Sequence, residues 1–412
     1  MSALSELFRN RNFSFYWVGT VVSNLGTRAT QAAVLFQVYV ISDSISVTGL
    51  VGVAQGLGTL VLNPIGGVLA DRLDRRRLLQ YSQGVSLLGV LFLAVLTLLG
   101  SIQVWQILIA VLFVTAASSF ERPARMALIP ALVRPDQLPE AIAIVNPSRE
   151  LAILIGPALG GLLMAVGGVG WVYVFDAFSY AALIVLVGFI RVNPLPEGRK
   201  KAPFVTDLVE GAKYVAKRPL IMQFIALDLS SQLFGAYRVV LPALSTDVLD
   251  IGEFGYGILS SLPSAGALLA TWTVFRIVRG GGKQGIIVLY STMAYGLACI
   301  ALGWSSVLVF TVVAVLVLGW TDALATVIRH SAVQLDTPDE LRGRVTSLYQ
   351  VASGGGPSFG QMVVGLLASA FGPAGGMAIG GLITLVFSGS FLFHRNSVRS
   401  YDGPQRSQET FA

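Results

Sequence analysis

Long apolar runs alternate with short polar turns along the 412 residues of the chain. No charged residue interrupts residues 44–70 or 78–120. Each run reaches or exceeds the ~20 residues needed to cross a hydrocarbon core as a helix. The same reading, extended along the chain, predicts twelve spans over 13–41, 46–70, 78–100, 103–128, 140–167, 170–191, 219–247, 253–277, 284–303, 305–330, 343–370 and 373–394. One longer polar stretch, 192–218, breaks the rhythm. It holds Pro194, Pro196, Arg199, Lys200 and Lys201, then an amphipathic pattern over 204–217 that predicts a helix lying along a surface. The chain therefore divides into a six-helix bundle at 1–191, a cytoplasmic linker at 192–218, a second six-helix bundle at 219–394 and a cytoplasmic tail at 395–412.

Charge placement tests this picture. Charged residues are 12% of the chain and hydrophobic ones 54%, whereas a soluble domain carries about 25% charge. Of 28 lysines and arginines, three lie well inside predicted spans: Arg28, Arg149 and Arg238. The others fall in or beside the termini and the turns after even-numbered spans. The turns 41–45, 249–253 and 303–306, after odd-numbered spans, carry none. Basic turns stay in the cytoplasm, so both termini are expected there, in a multi-pass protein of the plasma (inner) membrane. The net charge of +6 then belongs to loops facing anionic lipid and gives no reason to expect nucleic acid. A lone cysteine, Cys299, and two histidines, His330 and His394, exclude an internal disulfide and leave no basis for a metal, a cofactor or triad chemistry. The chain is not expected to be an enzyme. The segment at 1–13 is charged without a cleavage site, and no removable signal is expected.

The two halves echo each other. Pro135-Asp136-Gln137-Leu138 opens the fifth span, and Pro338-Asp339-Glu340-Leu341 opens the eleventh. Gly156-Pro157-Ala158-Leu159-Gly160 returns as Gly356-Pro357-Ser358-Phe359-Gly360, 200 positions later. Between the second and third spans the chain reads GGVLADRLDRRR. This resembles the loop of major facilitator transporters, roughly G-x-L-A-D-R-x-G-R-[KR], through Gly67, Leu69, Ala70, Asp71, Arg72, Arg75 and Arg76. Asp74 stands where that family has glycine, and a left-handed turn is expected there. The resemblance implies an all-α membrane protein of the major facilitator fold, with twelve transmembrane helices in two pseudo-symmetric halves. It also implies that Gly67, Asp71, Arg72, Arg75 and Arg76 form a cytoplasmic latch. Pro123-Ala124-Arg125, the 128–133 run LIPALV, the 238–244 run RVVLPAL and Gly343-Arg344 resemble the exporter branch that includes enterobactin exporters and macrolide efflux proteins. Gly156, Pro157, Gly160 and Gly161 resemble part of that superfamily's antiporter signature.

Polar residues within spans form helical faces, and such groups are expected to face a bundle interior or a wet cavity. Asn24, Arg28 and Gln31 fall at i, i+4, i+7. Gln55 marks the second span, and Asn146, Arg149 and Glu150 the fifth. Asp228, Ser231, Gln232, Gly235 and Arg238 recur every three or four residues on the seventh. Asp322, Thr326 and Arg329 do so on the tenth. The expected substrate contacts are Asn24, Arg28, Gln31, Gln55, Asn146, Arg149, Ser231, Gln232 and Arg238, with the arginines attracting an anionic group. Asp228, Glu150 and Asp322 are the expected proton carriers, Asp228 foremost. Glu121 reads as a structural partner of Arg125 four residues on. Asp176 reads as a packing or rim residue near the outer end of the sixth span. Arg279-Gly280-Gly281-Gly282-Lys283 lacks the serine or threonine and the strand–helix setting of a phosphate loop.

The expected function is proton-coupled export of small amphipathic organic molecules, such as siderophores or macrolide-like drugs, by a monomer working through alternating access. Its expected partners are the substrate, protons and the bilayer. The competing readings are an importer of a small polar nutrient and a membrane sensor or scaffold that no longer transports.

Overall fold

The computed structural model describes residues 3–72, 74–190, 204–280, 283–393 and 396–403. Among them every regular element is helical: α1 (Ala3–Arg9), α2 (Arg11–Ser42), α3 (Ile45–Arg72), α4 (Arg75–Leu98), α5 (Val104–Leu132), α6 (Leu138–Gly167), α7 (Val169–Gly188), α8 (Phe204–Ala216), α9 (Pro219–Phe234), α10 (Leu241–Ala243), α11 (Gly252–Gly280), α12 (Gln284–Gly303), α13 (Leu308–Leu335) and α14 (Asp339–Phe393). Nine helical segments among the described residues are long and apolar enough to cross a membrane. Helices are what a chain must form in lipid, because no water is there to satisfy an open backbone. Large apolar side chains such as Leu88, Phe113, Phe178, Trp272 and Phe310 stand exposed on them, as a lipid-facing surface allows.

Local chemistry sets the helix ends. Asn10 starts α2, its side chain accepting from the backbone N–H of Asn12 at 3.0 Å and of Phe13 at 3.3 Å. Asp43, left-handed at φ 48°, ends it. Asp74 does not take the left-handed turn expected from the sequence. It sits at φ −55°, ψ 119° and caps α4, accepting from the N–H groups of Arg76 at 2.8 Å and Arg77 at 3.3 Å. A carboxylate at a helix N-terminus satisfies free donors and complements the helix dipole, which explains why aspartate serves at a position where the family motif has glycine.

The expected continuous helix over 219–247 is broken. α9 stops at Phe234, a 3₁₀ turn covers Tyr237–Val239, and α10 leads into a single wide π turn at Leu244–Val248. Two features cause the break. Tyr295 on α12 donates its hydroxyl to the Gly235 carbonyl at 2.7 Å, drawing it from the helical ladder. Pro242 brings no N–H. Further on, α14 holds two helices that meet at Gly372, whose φ of 76° and ψ of 164° no helix contains.

The chain forms two compact units. The first is Met1–Phe204 with Arg238–Ser261; the second is Val205–Tyr237 with Leu262–Ala412. Phe13, Tyr16, Leu79, Leu128 and Leu183 centre a core in the first. Phe224, Leu227, Val288, Leu289 and Ile328 do so in the second.

Candidate functional site

In the first unit, α2 presents the face that the spacing of Asn24, Arg28 and Gln31 requires. Arg28 Nη1 donates to Gln31 Oε1 at 2.9 Å. Asn24 is tied elsewhere: its Oδ1 accepts from Arg125 Nη1 at 3.3 Å, while Arg125 Nη2 donates to Ser23 Oγ at 3.2 Å. Arg125 also pairs with Glu121, one turn back on α5. Arg238, Arg149 and Glu150 lie close enough to Arg28 to act on it electrostatically. Arg149 Nη2 meets Glu150 Oε1 at 2.8 Å, and both side chains remain about half exposed. Two further guanidiniums and one carboxylate therefore lie around Arg28. Such a centre, set among apolar helices, draws an anion more strongly than the same charges would in water, and the guanidinium fork suits a bidentate oxyanion.

The glycines of α6 place Arg28. A side-chain carbon at Gly156 would collide with the Cβ of Arg28. One at Gly160 would lie 3.0 Å from the Ala29 carbonyl oxygen, and one at Gly161 would lie 2.7 Å from the Cα of Gly257. Close helix approach in lipid depends on such small residues. Pro157 leaves a gap in the ladder of α6, and the next amide, Ala158, donates to Ser261 Oγ at 3.0 Å. Segment 238–261 is further held to α2 by Tyr256, whose hydroxyl reaches the Ala32 carbonyl at 2.9 Å, and by Tyr39, which donates to Asp247.

In the second unit, Asp228 is buried and fully partnered. Its Oδ1 meets Arg329 Nη2 at 2.7 Å, and Ser353 donates to its Oδ2. Asp322 waits 3.8 Å from the same Arg329 nitrogen, with 40% of its side chain exposed. Arg329 Nη2 also reaches Thr326 Oγ1 at 3.1 Å. The Tyr349 and His330 rings pack edge to face beside it, 4.7 Å apart. The Asp322, Thr326, Arg329 spacing on the tenth span already carried this signal; Ser353, on α14, had none in the sequence. Ser231 is buried and returns its hydroxyl to the Asp228 carbonyl at 2.9 Å. The Cβ of Gln232 packs against Gly356.

The remaining expected residues are spread. Gln55 is half-buried on α3, and Asn146 is exposed on α6. Arg76 donates to the Gly188 carbonyl at the end of α7. The side chains of Asp71, Arg72 and Arg75, and the surroundings of Gly67, lie outside the described residues. Of the two places expected for Asp176, packing or rim, it takes the first: it is fully buried in α7.

Over residues 1–412 the chain matches the family described as transmembrane secretion effector. It is 26% identical over 385 residues to the enterobactin exporter EntS of Shigella boydii serotype 4 (strain Sb227), covering 93% of this chain and 91% of that protein. The same identity holds over 384 residues with EntS of Escherichia coli O9:H4 (strain HS), with the same coverage. Among solved structures, the nucleoside transporter NupG superposes with a TM-score of 0.70 at 15% identity, over 95% of this chain and 99% of that one. A bacterial homolog of the human lysosomal transporter Spinster, inward-facing and unoccupied, gives 0.72 at 16%, over 97% and 99%. At these identities the two structures speak for the fold.

Proposed function

The chain belongs to the transmembrane secretion effector family of major facilitator transporters, and from that premise we propose that it exports small anionic, amphipathic organic molecules of the siderophore kind, driven by the proton gradient. It is a multi-pass membrane transporter, not an enzyme. The observation that carries the proposal is the gathering of Arg149, Arg238 and Glu150 around Arg28, with Glu150 paired to Arg149. Ionisable groups inside a membrane protein are costly and mark pathways, and this set favours a catecholate or carboxylate. Likeness to exporters of enterobactin along nearly the whole chain supports the direction.

For coupling, Asp228 and Arg329 supply a switch. A proton on Asp228 cancels the charge that holds Arg329, and Asp322, 3.8 Å away, is placed to take it. The helices of the second unit then exchange one ion pair for another, giving two states that a proton and a substrate bias differently. In this reading the protein works as a monomer in the plasma (inner) membrane. Its termini and the turn at Asp71, Arg72, Arg75 and Arg76 face the cytoplasm, and its six-helix halves alternate access to Arg28.

Everted vesicles loaded with the transporter test this with a labelled catecholate siderophore and an imposed proton gradient. Accumulation that the gradient drives and Arg28→Ala weakens at least tenfold is expected. Uptake into intact cells instead would establish the nutrient importer. Transport of no labelled siderophore, drug or nutrient would leave the sensor or scaffold.

A further inference from the structure

Asp176 is the buried acid that the proposed cycle leaves unused. It sits in α7 at 0% exposure, facing α2 where Gly26 leaves room: a side-chain carbon on Gly26 would lie 2.5 Å from Asp176 Oδ1 and 2.6 Å from Ser179 Oγ. Ser179 donates to Oδ1 at 3.0 Å, and Oδ2 has no hydrogen-bond partner. Thr30, on α2, turns its hydroxyl toward the carboxyl and interacts with it, short of well-formed hydrogen-bond geometry. An ionised carboxylate held this way would be a buried charge with hydroxyls near it and no ion pair among the described residues, which is costly. A proton on Oδ2 removes the charge and turns that oxygen into a donor toward the Thr30 hydroxyl.

We propose that Asp176 is a proton-binding carboxyl of the first unit, linked to the Glu121–Arg125 pair by a seam of hydroxyls on α2. Ser23, Thr27 and Thr30 lie at i, i+4, i+7 and cover about 10 Å of helix. Ser23 accepts from Arg125 at 3.2 Å and lies 3.4 Å from Gln83 Oε1. Thr27 Oγ1 lies 3.0 Å from the Tyr180 hydroxyl, which is on the helix of Asp176. The charged groups on the packed helices are engaged elsewhere. Arg28 on α2 turns to Gln31, Arg76 on α4 turns to Gly188, and Arg149 on α6 turns to Glu150. Glu121, on α5, is held by Arg125 and adds negative potential at Asp176. A proton needs no cavity, and none is required here.

The inference rests on the transport reading for its purpose only; proton binding stands or falls by itself. Infrared spectroscopy of the reconstituted, substrate-free protein reads it through the C=O stretch of a protonated carboxyl. The wild type is expected to show this absorption near neutral pH and to lose it on alkalinisation. Asp176→Asn should lack it, Asp176→Glu should restore it at a shifted frequency, Ser179→Ala should shift it, and Asp228→Asn should leave it in place. An absorption unchanged in a folded Asp176→Asn protein, or missing from both wild type and Asp176→Glu, overturns the proposal. An absorption lost in Asp176→Asn, in a wild type that moves no siderophore in everted vesicles, supports the proton site while sinking the export reading.

Discussion

Asp228 and Asp176 are the same side chain at nearly the same burial, yet their surroundings differ in kind. Asp228 has a guanidinium on one oxygen and a hydroxyl on the other. Asp176 has the Ser179 hydroxyl on one oxygen, Thr30 close by short of a well-formed hydrogen bond, and no ion pair among the described residues. The first is charge-compensated, so removing its partner is what hurts. The second is uncompensated, so its environment fits a neutral acid, and a neutral isostere is what it tolerates. Burial alone therefore does not say what a membrane carboxyl does; the partner on the facing helix does.

The widest gap between the two comes from removing Arg329. Arg329→Ala leaves Asp228 buried and unpaired, and a loss of roughly 3–5 kcal/mol is expected. Thermal unfolding in detergent reads it, and the double variant Asp228→Ala/Arg329→Ala should recover most of the loss. A double variant as unstable as the single one would show that the pair is not the unit. Next comes Gly26→Ala, which drives a carbon against Asp176 and Ser179; overpacking of this sort costs about 1–3 kcal/mol. The cost should shrink in an Asp176→Ala background, as a double-mutant cycle measures. An exposed aspartate gives the benchmark. Asp74→Ala removes the cap of α4 and should cost about 1 kcal/mol, seen as a small drop in unfolding temperature. The smallest effect is expected for Asp176→Asn, less than about 1 kcal/mol, because it replaces a neutral acid by a neutral amide. Asp228→Asn, stranding Arg329, should be clearly worse in the same unfolding measurement. Equal losses for the two asparagine variants would erase the distinction.

Much of the fold was legible because lipid imposes simple rules. Uncharged runs had to be helices of a given length, and the basic turns between them stand out. Local chemistry was harder to read. Asp74 was expected in a left-handed turn and is a helix cap, since a side chain that can accept from two N–H groups leaves the backbone in its ordinary region. The seventh span was expected whole and is broken at Gly235, because the hydroxyl that takes its carbonyl comes from Tyr295, sixty residues away. The faces of the candidate site were visible as spacing, on α2 and α13 alike. Their pairings were not: Asp228 chose Arg329, and which of packing or rim held for Asp176 was settled only by its burial.

The sequence by itself determined that this chain spans a membrane many times, which faces of its helices are polar, and the motifs that tie it to its family. Those depend on composition and on intervals of three and four residues, which each helix carries within itself. Only the tertiary structure decided which buried acid has a cation and which has none among the described residues. Ion pairing requires two atoms within about 4 Å, and that distance is set by helices far apart in the chain that pack against each other.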